Sequence, residues 1–102
     1  MNTETQTQDD PLAARRRRLK FRSWHRGTKE ADLLIGGFCD RHLNSWGEDM
    51  IAWYESLLEE QDVDIMAWAI GTQPVPERFQ GAAMDAMKVL DYIPMPEKSA
   101  KT

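Results

Sequence analysis

Apolar residues recur every three or four positions along most of the chain, and no segment shows the period of two that is typical of strands. The clearest stripe runs through Ala31, Leu34, Ile35, Phe38 and His42. Five such segments follow one another with short connections, so sequential helices are expected to pack as neighbours. The pattern predicts an all-α fold, a small single-domain bundle of five helices.

The first two helices carry clear start and stop signals. Asp10 can cap the first helix and Pro11 suits its first position, because a helix start leaves unpaired the N–H that proline lacks. This helix is expected to end near Arg26, so that Arg26 lies in its last turn and Gly27 takes the left-handed terminating conformation. Thr28 is then expected to cap the second helix.

The signals for the other three helices are shorter. Ser45 and Glu48 fit a capping box, which predicts the start of the third helix. Asp62 is expected to cap a short fourth helix that ends at Gly71. A proline-punctuated turn leads to a fifth helix from Pro76, which the sequence Tyr-Ile-Pro stops.

Two features near the second helix, a pair of glycines and a tryptophan, indicate close packing or a contact with another molecule. Gly36 and Gly37 interrupt this helix at a cost of roughly 1 kcal/mol per glycine relative to alanine. Such a pair predicts that another backbone packs close by, or that the helix is locally weak. Trp24, in the basic segment just before the junction of the first two helices, could face a partner, whereas the other tryptophans fall near apolar stripes.

The 102 residues allow one domain, predicted over residues 10–94, with polar tails at 1–9 and 95–102. The first ten residues suit neither a secretory signal nor a transit peptide. A single cysteine rules out an internal disulfide framework and indicates a reducing compartment. Because no apolar run approaches the roughly 18 residues of a membrane span, we expect no membrane insertion and a cytoplasmic location.

Charge divides the chain into a basic front and an acidic body. Residues 15–29 hold eight basic residues and no acid, whereas residues 31–102 hold five basic and thirteen acidic residues. The run Arg15–Arg18 could bind nucleic acid, although the acidic body would repel phosphates. The alternatives are a solvated helix face or a surface that docks an acidic protein patch.

The sequence offers little to an enzyme. Cys39 and His42 share a helix face and His25 is the other imidazole, but a structural zinc site needs four such ligands, so we expect no metal. No serine lies in a nucleophile elbow, and no glycine-rich phosphate loop is present in the sequence. We therefore expect no catalytic residues, no cofactor of its own and no enzymatic activity.

Opposite charges flank the junction between the first two helices. Arg26 would suit the carboxyl end of one helix dipole and Glu30 the amino end of the next. Gly27 permits the sharp reversal between them. The junction is therefore expected to present a guanidinium, exposed backbone and a carboxylate together, or else to be a corner whose charges serve only the helices.

Arg26-Gly27-x-x-Glu30 followed by Asp32 resembles the RGxxE signature of the SdhE family. Members of that family are the FAD assembly factors of succinate dehydrogenase, called succinate dehydrogenase assembly factor 2 in mitochondria. A second block of residues supports the resemblance: Leu57-Leu58-Glu59, Asp62, Asp64 and Trp68. The resemblance covers about residues 15–93. One departure is Ala31, where the family more often has a larger apolar residue.

The resemblance implies a five-helix chaperone that binds the flavoprotein subunit of succinate dehydrogenase, or of fumarate reductase, and promotes covalent attachment of FAD to it. Arg26, Gly27 and Glu30 would be the contact signature, with His25, Thr28 and Lys29 beside them. We expect no nucleic-acid partner, because the acidic body would repel phosphates, and we expect a monomer when the chain is free. The alternatives that remain are an antitoxin-type neutralising protein and a nucleic-acid binder that uses Arg15–Arg18.

Overall fold

The computed structural model describes residues 10–93, and in this range it confirms the predicted all-α fold. The predicted tails at 1–9 and 95–102 lie outside the described residues. No strand occurs within residues 10–93. The five helices are α1 (Pro11–Trp24), α2 (Lys29–His42), α3 (Glu48–Leu57), α4 (Asp62–Ile70) and α5 (Ala82–Val89).

The two predicted caps at the front of the molecule are confirmed. A carboxylate oxygen of Asp10 accepts a hydrogen bond from a backbone N–H in the first turn of α1 at 3.0 Å. The Thr28 hydroxyl does the same for α2 at 3.1 Å. However, α1 ends at Trp24, so the prediction that Arg26 lies in its last turn was wrong.

The predicted capping box at the start of α3 was wrong. Ser45 belongs to a 3-10 turn over Leu43–Ser45, and its hydroxyl donates to the carbonyl of His42 at 2.8 Å. Gly47 is the N-cap of α3 and supplies no side-chain bond. The hydroxyl of Ser45 is therefore used by the end of α2 and is not free for the start of α3.

Two other helix starts also differ from the prediction. Gln61 is the N-cap of α4, so Asp62 is the first residue inside the helix, whereas the predicted end at Gly71 is confirmed by its left-handed φ of 97°. A 3-10 turn over Glu77–Phe79 replaces the expected start at Pro76, because the extended backbone at Gln80 separates that turn from α5.

The helices enclose one hydrophobic core that all five contribute to, and three aromatic side chains, Phe38, Tyr54 and Phe79, are its largest fully buried members. One polar pair lies inside it, since Ser23 Oγ is 2.6 Å from Tyr54 Oη. Tyr54 donates its hydrogen to the carbonyl of Ile35 at 3.2 Å, so Ser23 is the donor to Tyr54. Burial raises the pKa of Tyr54 well above its usual range, and the phenol stays neutral.

The glycine pair in α2 makes room for close neighbours, as one of the two alternatives predicted. A Cβ on Gly36 would overlap the indole of Trp24, and a Cβ on Gly37 would lie 3.1 Å from the backbone oxygen of Tyr92. The Trp24 ring thus packs on α2, and its Nε1 donates to Asp40 at 3.2 Å. Trp24 is half-buried between α1 and α2, so the expectation that it faces a partner does not describe its main contact.

Among the described residues, no helix is both long enough and apolar enough to cross a membrane.

Candidate functional site

The turn between α1 and α2 and the first two residues of α2, together residues 25–30, are called the corner here. Gly27 adopts a φ of +124°, which L-amino acids rarely take, and this conformation reverses the chain between the helices. A Cβ on Gly27 would meet nothing within 4 Å, so the backbone there is open to an approaching molecule. Every residue of the corner except Arg26 is exposed.

Arg26 turns inward and its side chain is only 11% exposed. Its Nε donates to Asp62 Oδ1 at 2.7 Å, and its Nη2 donates to the carbonyl of Leu58 at 3.1 Å. The corner therefore does not display a guanidinium, contrary to the sequence-based expectation. Arg26 instead fastens the corner to the turn between α3 and α4 and to the first residue of α4.

A second bond holds the backbone of the corner. The N–H of Arg26 donates to Asp32 Oδ1 on α2 at 2.6 Å. A hydrogen bond to a charged group contributes about 1.5–3 kcal/mol to the stability of the fold, more than a bond between neutral groups. Arg26 is thus bonded through its side chain to α4 and through its backbone to α2, and these bonds hold the corner against both helices.

The exposed residues of the corner carry charge and an aromatic ring. Lys29 and Glu30 lie in the first turn of α2 and are exposed, so Glu30 is the carboxylate that the corner does present. The His25 ring stacks on Phe21 with centroids 3.9 Å apart, and its Nδ1 is 2.7 Å from the Phe21 carbonyl oxygen. This arrangement can bind another surface through charge, a ring face and open backbone.

The two sequence blocks that carry the family resemblance meet in space. Leu57 and Leu58 are buried, and the Leu58 carbonyl accepts from Arg26. Asp62, from the same block, pairs with Arg26, and Trp68 packs on Phe79 with ring centroids 5.5 Å apart. The second block therefore binds the Arg26 side chain of the first block on the inner side of the corner. Spacing along the chain gave no signal for this contact, since it predicted Asp62 only as a helix cap, and only the resemblance pointed to Asp32.

The basic run on α1 is partly bonded to the rest of the molecule. Arg15 pairs with Glu55 at 2.7 Å, and this guanidinium lowers the pKa of the Glu55 carboxyl. Arg16 donates to the carbonyl of Trp46 at 2.9 Å. Arg17 and Arg18 are exposed. No observation on the described residues supports the nucleic-acid or antitoxin alternatives.

The three residues weighed as metal ligands are not brought together into a metal centre. Cys39 is buried in the core, and burial raises the pKa of its thiol. His42 packs against Phe38 and Trp46, with ring centroids 4.7 Å and 6.4 Å away, whereas His25 lies at the corner. Within residues 10–93 no group of three His, Cys, Asp or Glu residues could hold a metal ion.

Known proteins resemble this chain over most of its length. The curated relatives include the FAD assembly factor SdhE of Acetobacter pasteurianus, 46% identical over 69 residues, which are 68% of this chain and 63% of that protein. The mitochondrial succinate dehydrogenase assembly factor 2 of Drosophila grimshawi is 34% identical over 95 residues, 91% of this chain and 63% of the relative. The protein of the same name from Danio rerio is 38% identical over 81 residues, 78% of this chain and 51% of the relative.

The chain thus spans between half and two thirds of the length of these relatives. Residues 17–91 match the family described as the flavinator of succinate dehydrogenase. This match includes the corner, α2, α3 and α4, the elements that Arg26 joins. The chain belongs to the flavinator of succinate dehydrogenase family.

Proposed function

We propose that this chain binds the flavoprotein subunit of succinate dehydrogenase and promotes the covalent attachment of FAD to it. The family description and the relative named FAD assembly factor SdhE support this assignment. The chain acts as an assembly factor and not as an enzyme, and the residues that form the flavin bond belong to the partner. The lone cysteine suits a reducing compartment; in this proposal the chain acts in the cytoplasm and is a monomer when free.

The observation that carries the proposal is the way in which Arg26 bonds the corner to α2 and α4. Arg26 is bonded to both Asp62 and Asp32, and this holds Glu30 and Lys29 exposed at the start of α2. A surface of fixed shape with an exposed carboxylate suits recognition of another protein, because a charge-assisted hydrogen bond is about twice as strong as a neutral one.

The corner residues take different roles in this proposal. Glu30 makes a charge-assisted contact with a basic group of the flavoprotein, and Gly27 lets the two backbones approach closely. His25, Thr28 and Lys29 line the contact. Arg26 acts through Asp62 and Asp32 as a positioning residue, since its own guanidinium is used inside the chain.

Binding of this kind can promote a reaction in the partner. Covalent attachment requires the flavin and the accepting side chain to be held in one geometry. A protein that binds this geometry more tightly than others raises its population, and about 1.4 kcal/mol of difference raises it tenfold. The chain therefore needs no catalytic group of its own.

The test is co-expression of this chain with the flavoprotein subunit, followed by in-gel fluorescence of covalent flavin. Glu30→Ala is expected to reduce the flavinylated fraction, while the melting temperature of the variant matches that of the wild type. Asp49→Ala is the matched control, because Asp49 is also an exposed carboxylate in the first turn of a helix. Covalent flavin at the wild-type level with Glu30→Ala would refute the role of the corner.

A further inference from the structure

Helix α4 is apolar on both of its sides. Its inner side buries Ile65, Trp68 and Ala69 in the core. On the opposite side Val63 is 69% exposed and Ile70 is 55% exposed. The exposed side of α4 therefore offers apolar surface to a partner, as interaction sites commonly do.

The exposed side of α4 forms a continuous stripe. Val63, Ala67 and Ile70 are spaced at i, i+4 and i+7, which places them one above another on the helix. These three residues are called the outer stripe here. Asp64 is the exposed charge beside the stripe. Among residues 10–93 the other large exposed aliphatic side chain is Val89 on α5, where the residues at the same spacing, Ala82 and Ala86, are both alanines.

We propose that the outer stripe is a second contact surface for the flavoprotein subunit and takes an apolar segment of it. This inference rests on the proposed function. The stripe begins at the residue after Asp62, whose carboxylate is bonded to Arg26 of the corner. The corner and the stripe therefore keep a fixed relation to each other, and one partner can contact both.

The size of the stripe argues against a second copy of this chain as the occupant. A helix of nine residues is about 14 Å long, whereas a stable interface buries about 800 Å² on each partner. Two exposed aliphatic side chains cannot supply that area alone, but they can extend an interface that also includes the corner.

The charge of Asp64 limits which segment of the flavoprotein can bind to the outer stripe. Asp64 flanks the stripe near the start of α4, and the polar residues Thr72 and Gln73 follow its end. A matching segment of the flavoprotein is therefore apolar in its middle and neutral or basic at the end that lies by Asp64. Acidic groups at that end would be repelled.

The variant Val63→Asp/Ile70→Lys tests the stripe without a change in net charge. An acid in the first turn and a base at the last residue both suit the helix dipole, so α4 is expected to remain folded. Val89→Lys is the control, because, like Ile70→Lys, it places a lysine at an exposed aliphatic position that is the last residue of a helix. Circular dichroism and thermal melting establish that each variant is folded.

The readout is the concentration of the purified chain that gives half-maximal covalent flavin on the flavoprotein subunit. We expect this concentration to rise at least about tenfold for Val63→Asp/Ile70→Lys, which corresponds to about 1.4 kcal/mol, and to stay unchanged for Val89→Lys. A folded double variant with the wild-type concentration would overturn the inference. If Glu30→Ala still lowered covalent flavin in that case, the proposed function would stand without the stripe.

Two further measurements on the wild-type chain separate the other occupants. A dimer in size-exclusion chromatography that Val63→Asp/Ile70→Lys makes monomeric would assign the stripe to a second copy and refute the inference. Sedimentation with phosphatidylcholine vesicles that the double variant abolishes would assign it to a lipid surface and also refute it. If the wild-type chain gave no covalent flavin, the inference and the proposed function would both fail.

Discussion

Arg26 Nε lies 2.7 Å from Asp62 Oδ1, although 36 residues separate the two in the sequence. This pair joins the turn after α1 to the first residue of α4. The guanidinium also donates to the carbonyl of Leu58 at 3.1 Å, so one side chain holds the corner and the α3–α4 turn together. The RGxxE signature thus combines a residue that faces inward with one, Glu30, that faces solvent.

Arg26→Lys is expected to lower the free energy of unfolding by about 1.5–3 kcal/mol, because lysine keeps the charge but cannot supply the planar fork of donors. Urea denaturation measures the change. Arg22→Lys is the matched control, since Arg22 pairs with Glu59 at 2.8 Å on the surface, where the Glu59 side chain is 72% exposed. An exposed pair contributes about 0–1 kcal/mol, so this control should unfold close to the wild type. Equal losses in both variants would show that Arg26 has no special structural role.

Gly36→Ala is expected to destabilise the protein although alanine favours a helix by about 1 kcal/mol over glycine. The reason is that the new Cβ would overlap the Trp24 indole. In a Trp24→Ala background the same substitution should instead stabilise α2, because the obstructing ring is gone. A double-mutant cycle from thermal or urea unfolding measures this reversal of sign. A loss of similar size in both backgrounds would mean that Trp24 does not explain the glycine.

The stability of the protein should fall as the pH falls through the range in which His42 titrates. Burial, followed by the nearby charge of Arg41, lowers the pKa of His42 below its ordinary value of 6.5. At higher pH the imidazole is neutral in both states. As the pH drops, the unfolded chain binds the proton first, and this favours unfolding.

The variant His42→Gln should therefore lose less stability than the wild type between about pH 7.5 and about pH 5.5. The midpoint of urea denaturation at the two pH values measures the difference. Its sign is set by burial of the ring and by the nearby charge of Arg41, both of which disfavour a charged imidazole. Parallel pH dependences in the two proteins would refute the assignment to His42.

Local signals in the sequence were enough to predict helix ends that depend on residues close to them in the chain. Asp10 and Thr28 cap their helices as predicted, and Gly71 ends α4, because each acts on backbone groups within a few residues. Ser45 did not act as predicted, since two helix ends compete for its hydroxyl and the carbonyl of His42 takes it. The competing ends could not be ranked from spacing alone.

Some features of the corner could be predicted from the sequence, whereas the direction of the Arg26 side chain could not. Its position, its glycine turn and its exposed Glu30 could be predicted, because they follow from residues adjacent in sequence. The inward direction of Arg26 could not, because Asp62 and Leu58 come near it only once α3 and α4 have packed. Helix periodicity gave the number of helices but not these contacts between them.

The Trp24 ring seated on Gly36 has a consequence for association. Because the ring of the last residue of α1 packs on the middle of α2, this contact resists rotation of the two helices about the glycine turn. The conformational entropy of that turn is lost during folding, before any encounter with a partner. Association then begins from a preorganised surface, and more of its contact energy remains as affinity.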